Sequence, residues 1–245
     1  GHTIKVTIAV KDGHINFDFS GTSAVHPGNL NANVSIVYSA VLYVLRLLCR
    51  KPIPLNEGLM QKVSIQLPDS SFLHPVFPDI PSECPAVVGG NTEVSQRLVD
   101  TLLKALGLSA CSQGTMNNFL FGNDTFGYYE TICGGVGAGL GFRGRSAVHQ
   151  HMTNTRITDP EDMELKYPVR LKQFAIRKDS GGKGKWPGGD GTIRELEFLE
   201  EVDMTILSQH RVVPPFGMEG GGAGAKGEQY ILRKNGERQQ LGGVD

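Results

Sequence analysis

The chain has 245 residues, with 24 Lys and Arg against 25 Asp and Glu, a formal net charge of −1. That balance gives no basic field, which argues against nucleic acid or an acidic membrane surface as a partner. At 39% hydrophobic and 20% charged residues, the chain reads as a soluble globular protein able to bury a core. Its 32 glycines are well above the usual ~7% and form no triplet repeat, which points to a loop-rich, mostly β architecture. The four cysteines, Cys49, Cys84, Cys111 and Cys133, have no paired spacing. A zinc ribbon or disulfide framework is therefore not expected, and a reducing, cytoplasmic compartment is. The longest apolar run, residues 34–48, is broken by Ser35, Ser39 and Arg46 and is too short to span a bilayer. Strand-like sequence begins by Thr3 and the chain stops without a closing element, so a longer polypeptide is expected.

In chain order, Ile4, Val6, Ile8 and Val10 alternate up to a turn at Lys11-Asp12-Gly13, and Ile15, Phe17 and Phe19 alternate beyond it. This predicts a hairpin. The loop from His26 to Asn31 either cradles an anion or simply leads into a helix. Residues 35–50 read as a helix apolar nearly all round and hence buried, stopped by Pro52 and Pro54. Val63, Ile65 and Leu67 predict a short strand, followed by a rigid proline-rich connector from Pro75 to Pro85. A second helix is predicted over residues 94–106, capped by Asn91 or Thr92 and closed by Gly107. Its first turn carries Glu93, Gln96 and Arg97 and could attract an anion. Alternatively, Glu93 complements the dipole and Arg97 makes a surface ion pair.

The amides of residues 112–118 are expected to satisfy backbone groups. Strands are predicted at 167–177, 193–199 and 204–207, the last two paired through residues 200–203. Glycine loops separate them, and a final hairpin turns at Lys234-Asn235-Gly236. The fold class is α+β, mostly antiparallel with a few buried helices. A subdivision into a mixed 1–110 and a mainly β 111–245 is possible.

Tyr128–Asp159 has the densest set of chemically useful groups, around a glycine loop from Gly134 to Gly144 that could let backbone approach a ligand. On a strand, His149 and His151 would share a face and could hold a metal with Glu130 or Asp159, although half-core histidines are the commoner outcome. Arg156, with Asn154 and Thr153, could bind a carboxylate in bidentate fashion, or could be buried against Asp159 or Glu161. Cys133 before Gly-Gly could be a nucleophile if a base stood near. The glycine loop lacks the Lys-Ser/Thr ending of a P-loop and does not open a helix, so Walker or Rossmann nucleotide binding is rejected.

Several segments together resemble one family. They are Phe17-Asp18-Phe19-Ser20-Gly21-Thr22, Gly28-Asn29-Leu30-Asn31-Ala32, Ala86-Val87-Val88-Gly89-Gly90-Asn91 and Ser95-Gln96-Arg97. Ser112-Gln113-Gly114-Thr115-Met116-Asn117-Asn118, Tyr128-Tyr129-Glu130-Thr131-Ile132, the run from His149 to Asp159 and Gly188-Gly189-Asp190-Gly191 follow. In this order they resemble the hydantoinase B/oxoprolinase family, most closely its 5-oxoprolinase branch.

The resemblance implies an ATP-dependent amidohydrolase opening 5-oxo-L-proline to L-glutamate. ATP and Mg2+ would be held by a hydantoinase A-like partner component, and the ring amide would be phosphorylated before water attacks. Family alternatives are N-methylhydantoin hydrolysis, ketone carboxylation or a non-catalytic assembly role. The chain resembles the C-terminal half of a B component, lacking the N-terminal segments where relatives carry metal ligands. It is therefore expected to be inactive alone, with its own metal unassigned, and to work within an oligomer. From the clustering of these groups beside the glycine loop, the expected catalytic residues are Glu130, His149, His151 and Asp159. Substrate contacts are assigned to Arg156, Asn154, Thr153, Gln96, Arg97 and Tyr129.

Overall fold

The computed structural model describes residues 1–49 and 51–242. The chain divides into two compact units, Gly1–Ser109 and Ala110–Asp245. The fold is α+β, with small sheets that are antiparallel except for one parallel pairing.

In the first unit, β1 (Thr7–Lys11) and β2 (His14–Asp18) form the expected hairpin. Its two turn residues, Asp12 and Gly13, both lie at positive φ, 50° and 74°, the primed turn that matches strand twist. β2 also pairs in parallel with β3 (Val63–Gln66). Helix α1 (Val34–Leu48) starts at Asn33, whose side chain accepts the Ile36 N–H at 3.2 Å. It is not buried all round as its composition suggested. Val37, Ala40, Val41, Val44 and Leu45 are buried at helical spacing, whereas Tyr38, Leu47 and Leu48 stay exposed. One face packs against α2 (Ser95–Ala105), and only that face needs to be dry.

The start of α2 differs from its prediction. A single π turn, Gly90–Val94, runs into it, so neither Asn91 nor Thr92 is the cap. Glu93 is correspondingly buried rather than exposed at a helix end. The far end is as expected: Gly107 sits at φ 68°, with Gly107 N–H bonded to Lys104 O and Leu108 N–H to Leu103 O. This pair of bonds is a Schellman motif.

The 26–31 loop is a backbone knot. Fully buried Asn31 accepts the His26 N–H at 2.7 Å and donates to the carbonyls of His26, Gly28 and Ala86. All its hydrogen-bonding capacity goes to main chain, so the plain connection rather than an anion cradle is what forms.

In the second unit, β4 (Asn118–Gly122), which shows no alternation in the sequence, lies between β5 (Gly127–Thr131) and β8 (Asp203–Leu207). β6 (Val169–Ile176) pairs with β7 (Thr192–Phe198). β9 (Tyr230–Leu232) pairs with β10 (Arg238–Gln240). The predicted β7–β8 pairing does not occur. In β8, Met204 and Ile206 stand opposite Phe121 and Phe119 of β4, and pack against the aromatic core of Phe119, Phe121 and Tyr128. Burying those side chains draws β8 into that sheet. A further unpredicted helix, α3 (Pro160–Lys166), inserts Met163 into the same core.

The glycine loops approach main chain. A Cβ on Gly135 would strike the Gly189 carbonyl, and one on Gly189 would strike the Arg145 carbonyl. Hydrogen bonds run through these contacts: Val136 N–H to Arg145 O, Gly189 N–H to Val136 O and Gly144 N–H to Pro187 O, each 2.9 Å. Around Gly135, Gly137 and Gly144 the space expected to receive a ligand is filled by backbone. Gly189→Ala should therefore cost on the order of 3 kcal/mol through forced backbone shifts. Gly127→Ala, where nothing lies within 4 Å of the added carbon, should change stability by no more than about 0.5 kcal/mol. Denaturant unfolding of the two variants checks the contrast.

Candidate functional site

The β5–β4–β8 sheet has two unlike faces. By register, Phe119, Phe121, Tyr128 and Glu130 share the core face, while Asn118, Leu120, Tyr129 and Thr131 share the other. β5 is the edge strand, and the segment of residues 153–158 runs along it. Thr155 Oγ1 hydrogen-bonds Thr131 Oγ1, and the Thr158 hydroxyl lies beside that of Tyr128.

On the core face, Glu130 is committed to structure. Arg194 grips it in bidentate fashion, Nε to Oε1 and Nη2 to Oε2, both at 2.9 Å, and Tyr128 Oη donates to Oε2 at 2.9 Å. The two charged side chains are 1% and 3% exposed. The Arg194 guanidinium also lies 5.0 Å from the Phe174 ring. Burial, reinforced by the neighbouring Glu130 charge, pushes the Tyr128 hydroxyl up to about 12. A carboxylate this buried and ion-paired is not free to deprotonate water, which argues against the catalytic role expected for it.

His149 and His151 are not on a strand, so the same-face argument for a shared metal does not hold. His149 precedes a turn and His151 lies within it, at φ 55°. Gln150 fixes that turn by donating to Gly135 O at 3.0 Å, and Val148 bridges Gly134. His149 Nδ1 lies 3.0 Å from Thr153 Oγ1, and burial lowers its pKa, favouring the neutral ring. Its Nε2 makes no hydrogen bond among the described residues. A neutral imidazole with one nitrogen anchored and the other unengaged can accept a proton.

Asp159 caps α3, its Oδ1 accepting the Glu161 N–H at 2.9 Å, a structural duty that the sequence reading did not assign. Arg156 and Asn154 are exposed, and among the described residues Arg156 forms no side-chain hydrogen bond or ion pair. The reading that buries Arg156 against Asp159 or Glu161 is thereby excluded. Thr153 is buried under His149. Tyr129 is 53% exposed and donates to Asn118 Oδ1 at 2.5 Å. Gln96, fully buried, and Arg97, half-buried, stand on α2 of the first unit.

Burial pushes the Cys133 thiol up, away from the thiolate a nucleophile needs. Among the described residues, no three His, Cys, Asp or Glu side chains group to hold a metal ion. No helix among them is long and apolar enough to cross a membrane.

Two features were missed in the sequence. Cys111 Sγ lies 3.5 Å from His210 Nε2, both buried. The amides of residues 112–118 were expected to be satisfied by backbone, and each is only half satisfied. Gln113 donates to Thr115 O, Asn117 to Ile132 O, and Asn118 Oδ1 accepts from Tyr129. Gln113 Oε1, Asn117 Oδ1 and Asn118 Nδ2 are buried with no partner. The Asn-Asn pair was the only signal, and it does not say which half is bonded.

The family model for hydantoinase B/oxoprolinase matches residues 1–244. The chain belongs to that family. It is 50% identical over 240 residues to 5-oxoprolinase 1 of Arabidopsis thaliana, covering 98% of this chain and 18% of that protein. The fold is similar to the crystal structure of the ATP-dependent caprolactamase from Pseudomonas jessenii, with TM-score 0.77 and 22% identity over 98% of this chain and 44% of that one. It is also similar to a nucleotide-free acetone carboxylase, with TM-score 0.79 and 19% identity over 94% of this chain and 32% of that one. The chain thus spans about a fifth of the length of the plant 5-oxoprolinase.

In this hydantoinase B/oxoprolinase chain, Glu130→Ala should destabilise strongly, because it leaves Arg194 buried and uncompensated. A loss of about 3–5 kcal/mol is expected, read by denaturant unfolding. Asp159→Ala should cost only about 1 kcal/mol, through loss of a helix cap.

Proposed function

We propose that this chain serves an ATP-dependent cyclic-amide hydrolase that opens 5-oxo-L-proline to L-glutamate, as part of a longer protein or assembly. The observation that carries this reading is the 50% identity to a 5-oxoprolinase across 98% of the chain. ATP with Mg2+ is assigned to a hydantoinase A-like component, since the glycine loops here are packed against their own backbone. When bound there, ATP supplies the phosphoryl group that activates the ring amide. On this chain, Arg156 and Asn154 hold the substrate carboxylate, the exposed guanidinium offering a bidentate fork. His149 takes the proton from the attacking water through Nε2, with Thr153 fixing the ring. Glu130 fixes β5, Asp159 caps the helix that follows residues 149–158, and His151 shapes the turn. A purely assembly role is less well supported, because Arg156 and His149 Nε2 are not consumed by structure among the described residues.

ATP hydrolysis by the complete protein with its hydantoinase A-like component tests this, with 5-oxoproline, N-methylhydantoin and acetone offered in turn. Stimulation by 5-oxoproline is expected, and stimulation only by another substrate refutes the assignment. Arg156→Ala should raise KM for 5-oxoproline about tenfold or more, the loss of one charge-assisted contact.

His149→Asn should lower kcat by about 10²–10⁴-fold. The active form is the neutral imidazole and its pKa is lowered. Activity should therefore persist as pH falls past about 6.5 and be lost only through the depressed value. An acid limb above that ordinary value, or one unchanged in the Asn variant, would count against His149 as the base.

A further inference from the structure

Asn118 combines deep burial with an unused donor. It is 1% exposed, and its Nδ2 has no hydrogen-bond partner. A buried polar group left unpaired costs about 1–3 kcal/mol, so a native one calls for a partner that arrives later. Its other end is fixed, because Tyr129 Oη donates to Oδ1 at 2.5 Å. With Oδ1 occupied as acceptor, the amide presents its N–H groups on the outer face of the sheet. Thr131 stands opposite on β5, and Thr131 is joined to Thr155, the residue before Arg156.

We propose that Asn118 is a substrate-binding residue, donating through Nδ2 to an acceptor oxygen of the cyclic amide or its carboxylate, and that Tyr129 positions it. The inference rests on the reading of this chain as part of a cyclic-amide hydrolase and adds a donor to it. Tyr129, half exposed and joined to Asn118 by that one hydrogen bond among the described residues, keeps Oδ1 engaged so that Nδ2 is the end left for the ligand. The neighbouring Asn117 Oδ1, buried and equally unpaired, supplies an acceptor for a ring N–H at the same end of β4. An acidic site would repel a carboxylate. Here Glu130, next in the chain to Tyr129, faces the opposite side with its charge cancelled by Arg194.

The test compares Asn118→Leu and Tyr129→Phe in the complete protein with its ATP-binding component. It uses calorimetric titration with 5-oxoproline and with 2-pyrrolidinone, which lacks the carboxylate, together with thermal melting. Leucine is close in shape and removes an unsatisfied amide, so melting should stay unchanged or rise while the Kd for 5-oxoproline rises at least tenfold. Tyr129→Phe should weaken binding about three- to tenfold with no change in melting.

If both ligands weaken equally, the acceptor is the ring carbonyl; if only 5-oxoproline weakens, it is the carboxylate. A lower melting temperature with unchanged Kd makes Asn118 structural and overturns the proposal. Should the Leu variant fail to fold, an unchanged Kd in Tyr129→Phe overturns it instead. If the unaltered protein does not hydrolyse 5-oxoproline, the proposed reaction is wrong. The same titrations with N-methylhydantoin and acetate then decide: binding that needs Asn118 sustains the subsite, and no binding overturns it.

Discussion

The second unit depends on main chain lying directly against main chain. Gly135 meets Gly189, Gly189 meets Arg145, Gly144 meets Val136, and Gly182 meets Gly222, all at separations that leave no room for a Cβ. Peptide groups brought that close satisfy one another, as Val136 does with Arg145 and Gly189 with Val136. The stacked loops then serve as an anchor for less regular chain. Gln150 ties the His149 turn to Gly135, and Asp190 binds Gly181 through Oδ1 and Ser146 through its N–H. The glycine excess is the composition of that anchor, and the histidine turn is held by it without belonging to a regular element.

A second constraint separates the dry face of the β5–β4–β8 sheet from the polar one. Taking Glu130 and Arg194 out of water is expensive, and only near-complete pairing offsets it. The bidentate geometry, the Tyr128 hydroxyl and the Phe174 ring supply it for all but Arg194 Nη1, which is buried without a hydrogen-bond partner. Since neighbouring residues on a strand point to opposite faces, fixing Glu130 inward fixes Tyr129 and Thr131 outward. The ion pair thus determines which side chains remain for chemistry without taking part in it.

Local patterns in the sequence were reliable where one face of an element is simply buried. The β1–β2 hairpin, the Gly107 cap and strands β6 and β7 follow from alternation or turn chemistry. The pattern failed where partner choice is non-local. β8 alternates equally well for a β7 neighbour as for β4, and only the aromatic core around Phe121 decides. β4 was hidden because it begins with an asparagine and contains Phe119, Leu120 and Phe121 in an unbroken apolar run. The family was legible because its motifs lie in order along the chain. Residue roles were less so, since Glu130, Asp159 and Asn31 carry the chemical groups of a site and spend them on a salt bridge, a helix cap and a backbone knot.

What distinguishes a functional polar group from a structural one here is whether its capacity is already used. Glu130 accepts three hydrogen bonds from Arg194 and Tyr128, and Asn31 donates to three carbonyls; both are committed to structure. His149 keeps Nε2, Asn118 keeps Nδ2, and Arg156 keeps its whole fork among the described residues. The donors Asn118 and Arg156 favour an acceptor-rich, anionic ligand, and a neutral imidazole adds no competing positive charge to bind it unproductively. Motif density located the segment, but unspent hydrogen-bonding capacity selects the residues within it. By that measure Asn118 ranks above Glu130 although the sequence ranked them the other way.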